Sequence, residues 1–406
     1  MKRAIAVIII FTMFSCKKEN KTSKLELGRY RATLEVKDSH ILPFNLEVIS
    51  DNKLHVFNAE EIIEVDEIEY KNDSVYIKMP VFEGYIVAKI TDGNILNGRF
   101  VKESLNRIVP FKAEKSDLRF SHSEAPYSNI SGNWETVFSP DSKEDRYIAK
   151  GVFKQEGNKV TGTFRTTTGD YRYLEGVLNG EELKLSTFDG SHAFLFTAKV
   201  TDSSMTGMFY SGNHWKEPFI AKRNETYELP DATVLTYLND GYDKIEFSFP
   251  DINGNLVSLA DARFKNKVVL VQIMGTWCPN CLDETKFYNE FYNNLDNDEF
   301  EIIGLAFEYA KTKEDAFKKI KRLQDKIGIN YPMLLAQYGS SSKVKAQEKI
   351  PMLNHVLSYP TTIFIDKRGV VRKIHTGFNG PATGDKFVEF KETFNMYIDE
   401  LLAENN

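Results

Sequence analysis

Two cysteines with two residues between them, Cys278 and Cys281, carry the most direct chemical signal in this chain. They lie in Gly275-Thr276-Trp277-Cys278-Pro279-Asn280-Cys281. An apolar run, Val268 to Met274, leads into them. A helical pattern with Leu282, Phe287 and Phe291 as apolar anchors leads away. A cysteine pair set between a strand and a helix is the arrangement of a redox dithiol. The helix start offers unpaired N–H groups and the positive end of a dipole, and both favour a thiolate at Cys278. Only the thiolate attacks a disulfide, so this placement makes a nucleophile. Cys281, one turn further on, is the expected resolving thiol.

Other uses of the pair fit less well. A structural zinc wants four ligands, commonly two such pairs or one pair with closely spaced histidines. The only other cysteine is Cys16, and no two histidines stand at ligand spacing, so no metal is expected. A peroxidatic cysteine would want threonine or serine three residues earlier and proline four before that; those places hold Gly275 and Val271. No Gly-x-Gly-x-x-Gly run is present, and no nicotinamide or flavin cofactor is expected.

The elements that must position this pair occupy part of a long chain. Its 406 residues suggest two or three domains. Apolar content of 42% and charged content of 27% are ordinary for a globular protein. The formal net charge is −6 and the lysines are scattered among more numerous carboxylates, which argues against a nucleic-acid surface.

Lys2 and Arg3 form a basic start, followed by the almost wholly apolar run Ala4 to Phe14. The run is too short to span a bilayer but suits a signal-peptide core, so residues 1–15 are read as a signal peptide. Ser15-Cys16 closes it, and a small residue followed by cysteine resembles a bacterial lipobox. That resemblance implies cleavage before Cys16 and lipid attachment to its sulfur, with residues 16–24 as a polar, lipid-anchored tether. The expected location is the bacterial cell envelope, on the periplasmic side, held to the membrane by the lipid. An ordinary secretory signal with a chance cysteine is the plainer alternative.

From Leu25 to about Arg223 the chain reads as short strands separated by turn signals such as Asp92-Gly93-Asn94 and Glu156-Gly157-Asn158. This stretch repeats. Gly28-Arg29-Tyr30 matches Gly132-Asn133-Trp134, Ala88-Lys89-Ile90-Thr91-Asp92 matches Ala198-Lys199-Val200-Thr201-Asp202, and Pro110-Phe111-Lys112-Ala113 matches Pro218-Phe219-Ile220-Ala221. Several matches at offsets of 104 to 110 residues indicate a duplicated all-β domain, residues 25–115 and 129–223, joined by polar Ser116 to Ser128. Two small antiparallel barrels or sandwiches are expected, with one larger barrel as the competing picture. The Gly-x-Trp opening of the second copy resembles lipocalins, which implies a ligand cavity; Trp134 as a plug in a barrel floor is the simpler reading. His192 and His214 are lone histidines among aromatics and read as packing residues.

Beyond a linker around Glu225 to Tyr242, strands and helices alternate. Phe300 to Phe307 is a second buried strand. Thr312, with Asp315 three residues on, caps a helix that Gly328 ends. Thr361 to Asp366 and Val370 to Ile374 form a hairpin around Lys367-Arg368-Gly369, and a last helix carries Phe387, Phe390, Phe394, Ile398 and Leu401 on one face. The result is an α/β unit with a mixed sheet between helices.

Residues 243–406 resemble a thioredoxin-fold domain of the TlpA/ResA type, the envelope thiol–disulfide oxidoreductases. The resemblance rests on Trp277-Cys278-Pro279-Asn280-Cys281, on Tyr359-Pro360-Thr361-Thr362-Ile363-Phe364-Ile365-Asp366 and on the Gly254 turn ahead of the first core strand. It implies that Pro360 is a cis-proline facing the dithiol, that Tyr359 pairs with an extended substrate segment, and that Trp277 shapes the contact surface. Thioredoxin's buried aspartate is replaced by Gln272, so the proton acceptor for Cys281 must lie elsewhere; Glu308, after the next strand, takes that place by resemblance. Asp283 and Glu284, just inside the helix, would oppose the thiolate slightly while favouring the helix dipole. The family implies reduction of disulfides in exported proteins, apocytochrome c among them, and recharging by a membrane thiol carrier. An oxidant or isomerase role, and a lipid-anchored ligand-binding protein with an accessory redox domain, stay open.

Overall fold

The computed structural model describes residues 23–295 and 297–404. The proposed signal peptide and Cys16 lie outside the described residues, as does the start of the tether. Among the described residues no helix is long and apolar enough to cross a membrane.

The N-terminal half is two separate nine-stranded antiparallel sheets. In the first, strands run neighbour to neighbour from Gly28–Glu35 to Arg107–Lys115, and these two pair with each other, Tyr30 opposite Lys115. The ring stays open between Glu61–Val65 and Glu67–Lys71, which do not pair. The second sheet closes fully: Gly132–Phe138 pairs with both Tyr147–Glu156 and Trp215–Arg223, and Tyr147–Glu156 with Lys159–Thr166. A two-residue strand, Gly169–Asp170, hangs from the end of Lys159–Thr166.

The duplication extends to detail. Gly28 and Gly132 open their copies at φ 111° and 115°, a backbone that side chains disfavour. Two residues on, Tyr30 and Trp134 are buried plugs, and each donates to the carbonyl four residues before it: the Tyr30 hydroxyl to Glu26 at 2.9 Å, the Trp134 Nε1 to Ile130 at 2.9 Å. The second barrel is filled rather than hollow. Phe138, Phe164, Phe196 and Phe219 pack around one another, with ring centroids 5.0 to 6.3 Å apart. The Gly-x-Trp start therefore marks a plug over an aromatic core.

The joint between copies is polar in sequence yet anchored. Arg119 is buried and donates to the Phe57 carbonyl at 2.9 Å, to Asn58 Oδ1 at 3.1 Å and to the Ser186 carbonyl at 2.9 Å. Strands from both barrels are thus tied by one guanidinium, whose fork satisfies several carbonyls at once.

The C-terminal domain has a five-stranded sheet in the order Met333–Gln337, Phe300–Phe307, Val268–Met274, Thr361–Ile365, Val371–Thr376. The first three are mutually parallel; Thr361–Ile365 runs antiparallel to Val268–Met274. Every residue of Val268–Met274 is buried, as a central strand covered on both faces requires. Helices α1 (Pro279–Asn294), α2 (Lys313–Ile327), α3 (Lys343–Gln347) and α4 (Asp385–Ala403) complete the unit. Helix α2 has the ends its sequence specifies: Thr312 Oγ1 accepts from Asp315 N at 3.1 Å, and Gly328 closes it at φ 75°. The fold is a thioredoxin-like α/β domain behind an all-β half.

Candidate active site

The central strand Val268–Met274 delivers the chain to a tight turn in which Cys278 N–H donates to the Gly275 carbonyl at 3.1 Å. Cys278 is the N-cap of α1 and Pro279 its first residue, where a missing N–H costs nothing. The Cys278 sulfur accepts the Cys281 N–H at 3.3 Å, so the helix start is aimed at it. On its other side Cys278 Sγ donates to the Tyr359 carbonyl at 3.5 Å. The Tyr359–Pro360 peptide is cis. Trp277 donates its Nε1 to the Phe307 carbonyl at 2.9 Å and meets the Tyr359 ring edge-on at 5.5 Å. The two cysteines, Trp277, Tyr359 and Pro360 are therefore assembled in one place from two segments of sequence about eighty residues apart.

Of the expected apolar anchors of α1, Leu282 is buried and Phe287 and Phe291 pack partly buried against the core. The helix also buries Cys281, Glu284, Thr285 and Tyr288, a stripe the apolar pattern does not show. Glu284 lies wholly inside. It accepts from Gln272 Nε2 at 2.8 Å, from the Tyr288 hydroxyl at 3.1 Å and from Thr362 Oγ1 at 3.1 Å. Gln272 is fixed in turn by Thr285 Oγ1 at 3.0 Å and also reaches the Cys281 carbonyl at 3.4 Å. Burial pushes the Glu284 carboxyl up to about 7, against the pull of its three hydrogen bonds. Burial likewise pushes the Cys281 thiol well up, reinforced by Cys278 and by the charge on Glu284. Glu284, expected only to oppose the thiolate slightly, is a buried acid whose charge raises the Cys281 thiol. Asp283 too is turned inward, onto Arg172 of the second barrel.

Glu308 is also fully buried, and burial pushes its carboxyl up to about 6. Its hydrogen bonds go to Thr276, from the N–H at 2.7 Å and from Oγ1 at 2.8 Å. Neither cysteine is among its partners. Glu308 holds the turn that precedes Trp277, whereas Glu284 is the acid whose charge acts on Cys281.

The buried acid under the helix makes a definite pH signature. Glu284 stays neutral in the folded chain where an unfolded glutamate, with its ordinary value of 4.5, has ionised. The folded state holds the extra proton, so this contribution to stability is complete below about 4.5 and is lost as pH rises through about 7. Glu284→Gln removes the titration. In urea denaturation the variant should gain on the wild type by about 3 kcal/mol between pH 4.5 and about pH 8, at about 1.36 kcal/mol per pKa unit. Glu308 titrates equally in both chains and cancels. A gap that does not change with pH would remove Glu284 as a titrating group.

Cys278 is only 7% exposed because the second barrel packs against this face. Ser191 Oγ donates to the Trp277 carbonyl at 2.9 Å, Asn280 Nδ2 to the Asp170 carbonyl at 3.0 Å, and Ser358 Oγ to the Thr168 carbonyl at 2.8 Å. Gly380 N–H donates to Asp170 Oδ2 at 2.6 Å. Two glycines permit the approach. A Cβ on Gly169 would stand 2.2 Å from Asn280 Nδ2, and one on Gly377 would stand 2.8 Å from the Thr168 carbonyl carbon. Beside these contacts Arg172 is buried among Asp283 of α1, Glu61 of the first barrel and Asp189 of its own barrel. One guanidinium therefore joins all three units.

Residues 241–374 match the AhpC/TSA family. The threonine or serine and the proline that a peroxidatic cysteine would want three and seven residues before it are Gly275 and Val271 here. The thioredoxin-like protein YneN of Bacillus subtilis (strain 168) is 27% identical over 153 residues, which cover 38% of this chain and 78% of that protein. The thiol-disulfide oxidoreductase ResA of Geobacillus thermodenitrificans (strain NG80-2) is 26% identical over 132 residues, 32% of this chain and 66% of that protein, just under two thirds of its length. A solved thiol-disulfide oxidoreductase from Bacteroides fragilis NCTC 9343 aligns with a TM-score of 0.27 at 22% identity, covering 37% of this chain and 99% of that one. The C-terminal unit is accordingly a thioredoxin-like domain similar to thiol–disulfide oxidoreductases, and both barrels precede the family match.

Proposed function

We propose that this chain is a thiol–disulfide oxidoreductase that reduces disulfides of exported proteins through Cys278 and Cys281. The observation that carries the reading is the dithiol at the start of α1, with the Cys278 sulfur between the Cys281 N–H and the Tyr359 carbonyl and a buried acid beneath Cys281. The Cys278 thiolate attacks one sulfur of a target disulfide. A Cys278–target bond forms, the target bond breaks, and the departing sulfur takes a proton. Cys281 then gives its proton to Glu284 and attacks Cys278. The mixed disulfide breaks, the second target sulfur takes up the proton that Cys281 gave up, the target leaves as a dithiol, and two electrons have passed from the pair to the target. Glu308 positions the turn through Thr276 and is the second acid in reach of the loop. Trp277, Tyr359 and Pro360 form the contact surface, with the Tyr359 backbone offered to an extended substrate segment.

A membrane thiol carrier would recharge the oxidised pair. Lys2, Arg3, the apolar run Ala4 to Phe14 and Cys16 support a lipid-anchored, periplasm-facing location. Apocytochrome c is one exported substrate that the resemblance to the ResA type suggests.

The deciding measurement is the reduction potential of the pair, by equilibration with glutathione. A value near or below about −230 mV fits a reductant; one above about −150 mV would replace this reading with disulfide formation.

A further inference from the structure

A cavity of about 400 Å³ lies where the first barrel, the open end of the second and the Trp277–Tyr309 edge of the C-terminal domain meet. Its ionisable lining, Lys102, Arg107, His192 and His214, is basic or neutral, and no aspartate or glutamate lines it. Aromatic rings of Phe194, Phe209, Trp215 and Trp277 make up much of the remaining wall.

Among the described residues Lys102 and Arg107 lack a carboxylate partner. Lys102 is only 6% exposed, and its ammonium reaches two neutral oxygens, the Ser191 carbonyl at 3.1 Å and Ser191 Oγ at 3.4 Å. Among the described residues neither Lys102 nor Arg107 makes an ion pair. The acids whose charge reaches Lys102 make no ion pair with it. Glu83 pairs with Lys319 and accepts from Ser104 Oγ at 2.6 Å. Asp189 accepts from the Ser191 and His192 N–H groups at 2.8 and 2.6 Å and faces Arg172 at 3.7 Å and the His192 ring at 3.4 Å. A buried ammonium without a carboxylate is costly, and proteins ordinarily pair such charges. The positive field is visible in His214, held down to about 4 by burial and then by Arg107, Lys102 and His192. The cleft beside Arg165 contrasts with this one. There Arg165 already faces Glu228 at 3.5 Å and Lys386 faces Glu389 at 2.8 Å, and the acids Glu228, Asp231 and Glu389 line the cleft alongside its cations.

We propose that this three-unit cavity binds a small anionic ligand with a flat apolar body, its acidic group facing Lys102 and Arg107 and its rings against the aromatic wall. The ligand supplies the counter-ion that the chain withholds, and the wall supplies stacking surface for its body. Ser191 is shared between the two sites, since its hydroxyl bonds both the Trp277 carbonyl and Lys102. The inference does not depend on the redox reading.

The test is fluorescence titration of the full chain with two probes of nearly the same rings. One is 8-anilinonaphthalene-1-sulfonate, which is anionic; the other is N-phenyl-1-naphthylamine, which lacks the sulfonate. The anionic probe should bind one site per chain, about tenfold or more tighter than the neutral one. Lys102→Met and Arg107→Gln should each weaken it about tenfold, the loss expected for one charge-assisted hydrogen bond, and leave the neutral probe unchanged. Arg107 is only partly buried, so Arg107→Gln decides the matter alone if Lys102→Met does not fold. Equal binding of the two probes, absence of anionic-probe binding, or indifference to Arg107→Gln would overturn the proposal.

Discussion

Cys278→Ser is expected to bring disulfide exchange down to the uncatalysed rate, and Cys281→Ser to stall it at a covalent complex. The two outcomes differ because the sulfurs do different work. Cys278 carries the residual exposure of the pair, and its sulfur lies between the Cys281 N–H and the Tyr359 carbonyl, where an incoming disulfide must line up. A serine hydroxyl there stays protonated at neutral pH and does not attack sulfur. Cys281 is wholly buried and can act only on the neighbouring Cys278. As an intramolecular attacker it has an effective concentration on the order of 10⁵ M or more, which no external thiol matches. Its removal leaves the target bound through Cys278. Mass spectrometry under non-reducing conditions, after mixing each reduced variant with a disulfide-bonded protein, reads both results. Turnover retained by both variants would end the dithiol mechanism.

The second large effect is on stability. Arg172→Met should cost roughly 3–5 kcal/mol, the range for removing one partner of a buried ion pair. Arg172 is buried, and Asp189 and Asp283 beside it are nearly so, with side chains 1% and 9% exposed. Methionine fills much of the volume but leaves three carboxylates facing one another without a cation. Because they come from both barrels and α1, the loss should also loosen the packing over Cys278. Urea denaturation gives the first quantity and the rate of Cys278 alkylation by iodoacetamide the second. A loss under about 1 kcal/mol would put this cluster among exposed ion pairs of little consequence, and the hub would then not hold the units together.

What could be read in the sequence was local. The dithiol turn, the Thr312 and Gly328 ends of α2 and the strand after Pro360 are each set by residues within a few positions. The duplication was legible because equivalent residues keep one order, and the paired Tyr30 and Trp134 plugs give that order a physical meaning. Glu284 was not legible as a buried acid. A glutamate near a helix start is ordinarily exposed to water. Its burial depends on Gln272 and Thr362, which come from two different strands. One signal was available: Cys281, Glu284, Thr285 and Tyr288 recur at i, i+3, i+4 and i+7, and Gln272 breaks an apolar strand on the side they meet. The contact between the second barrel and the dithiol left no such trace. It uses glycine backbone, carbonyls and short polar side chains, whose spacing says nothing about what they touch.

That contact bears on kinetics. With Asp170 and Ser191 bonded to the loop that carries Cys278, and Thr168 to Ser358 beside Pro360, an attacking reagent is expected to meet the sulfur only after an excursion of the barrel. At low reagent concentration the observed rate should rise in proportion to it, scaled by the small fraction of open molecules. At high concentration the rate should level off at the opening rate and become the same for unrelated reagents. The ceiling on electron flow through this chain would then be set by a hinge rather than by sulfur chemistry.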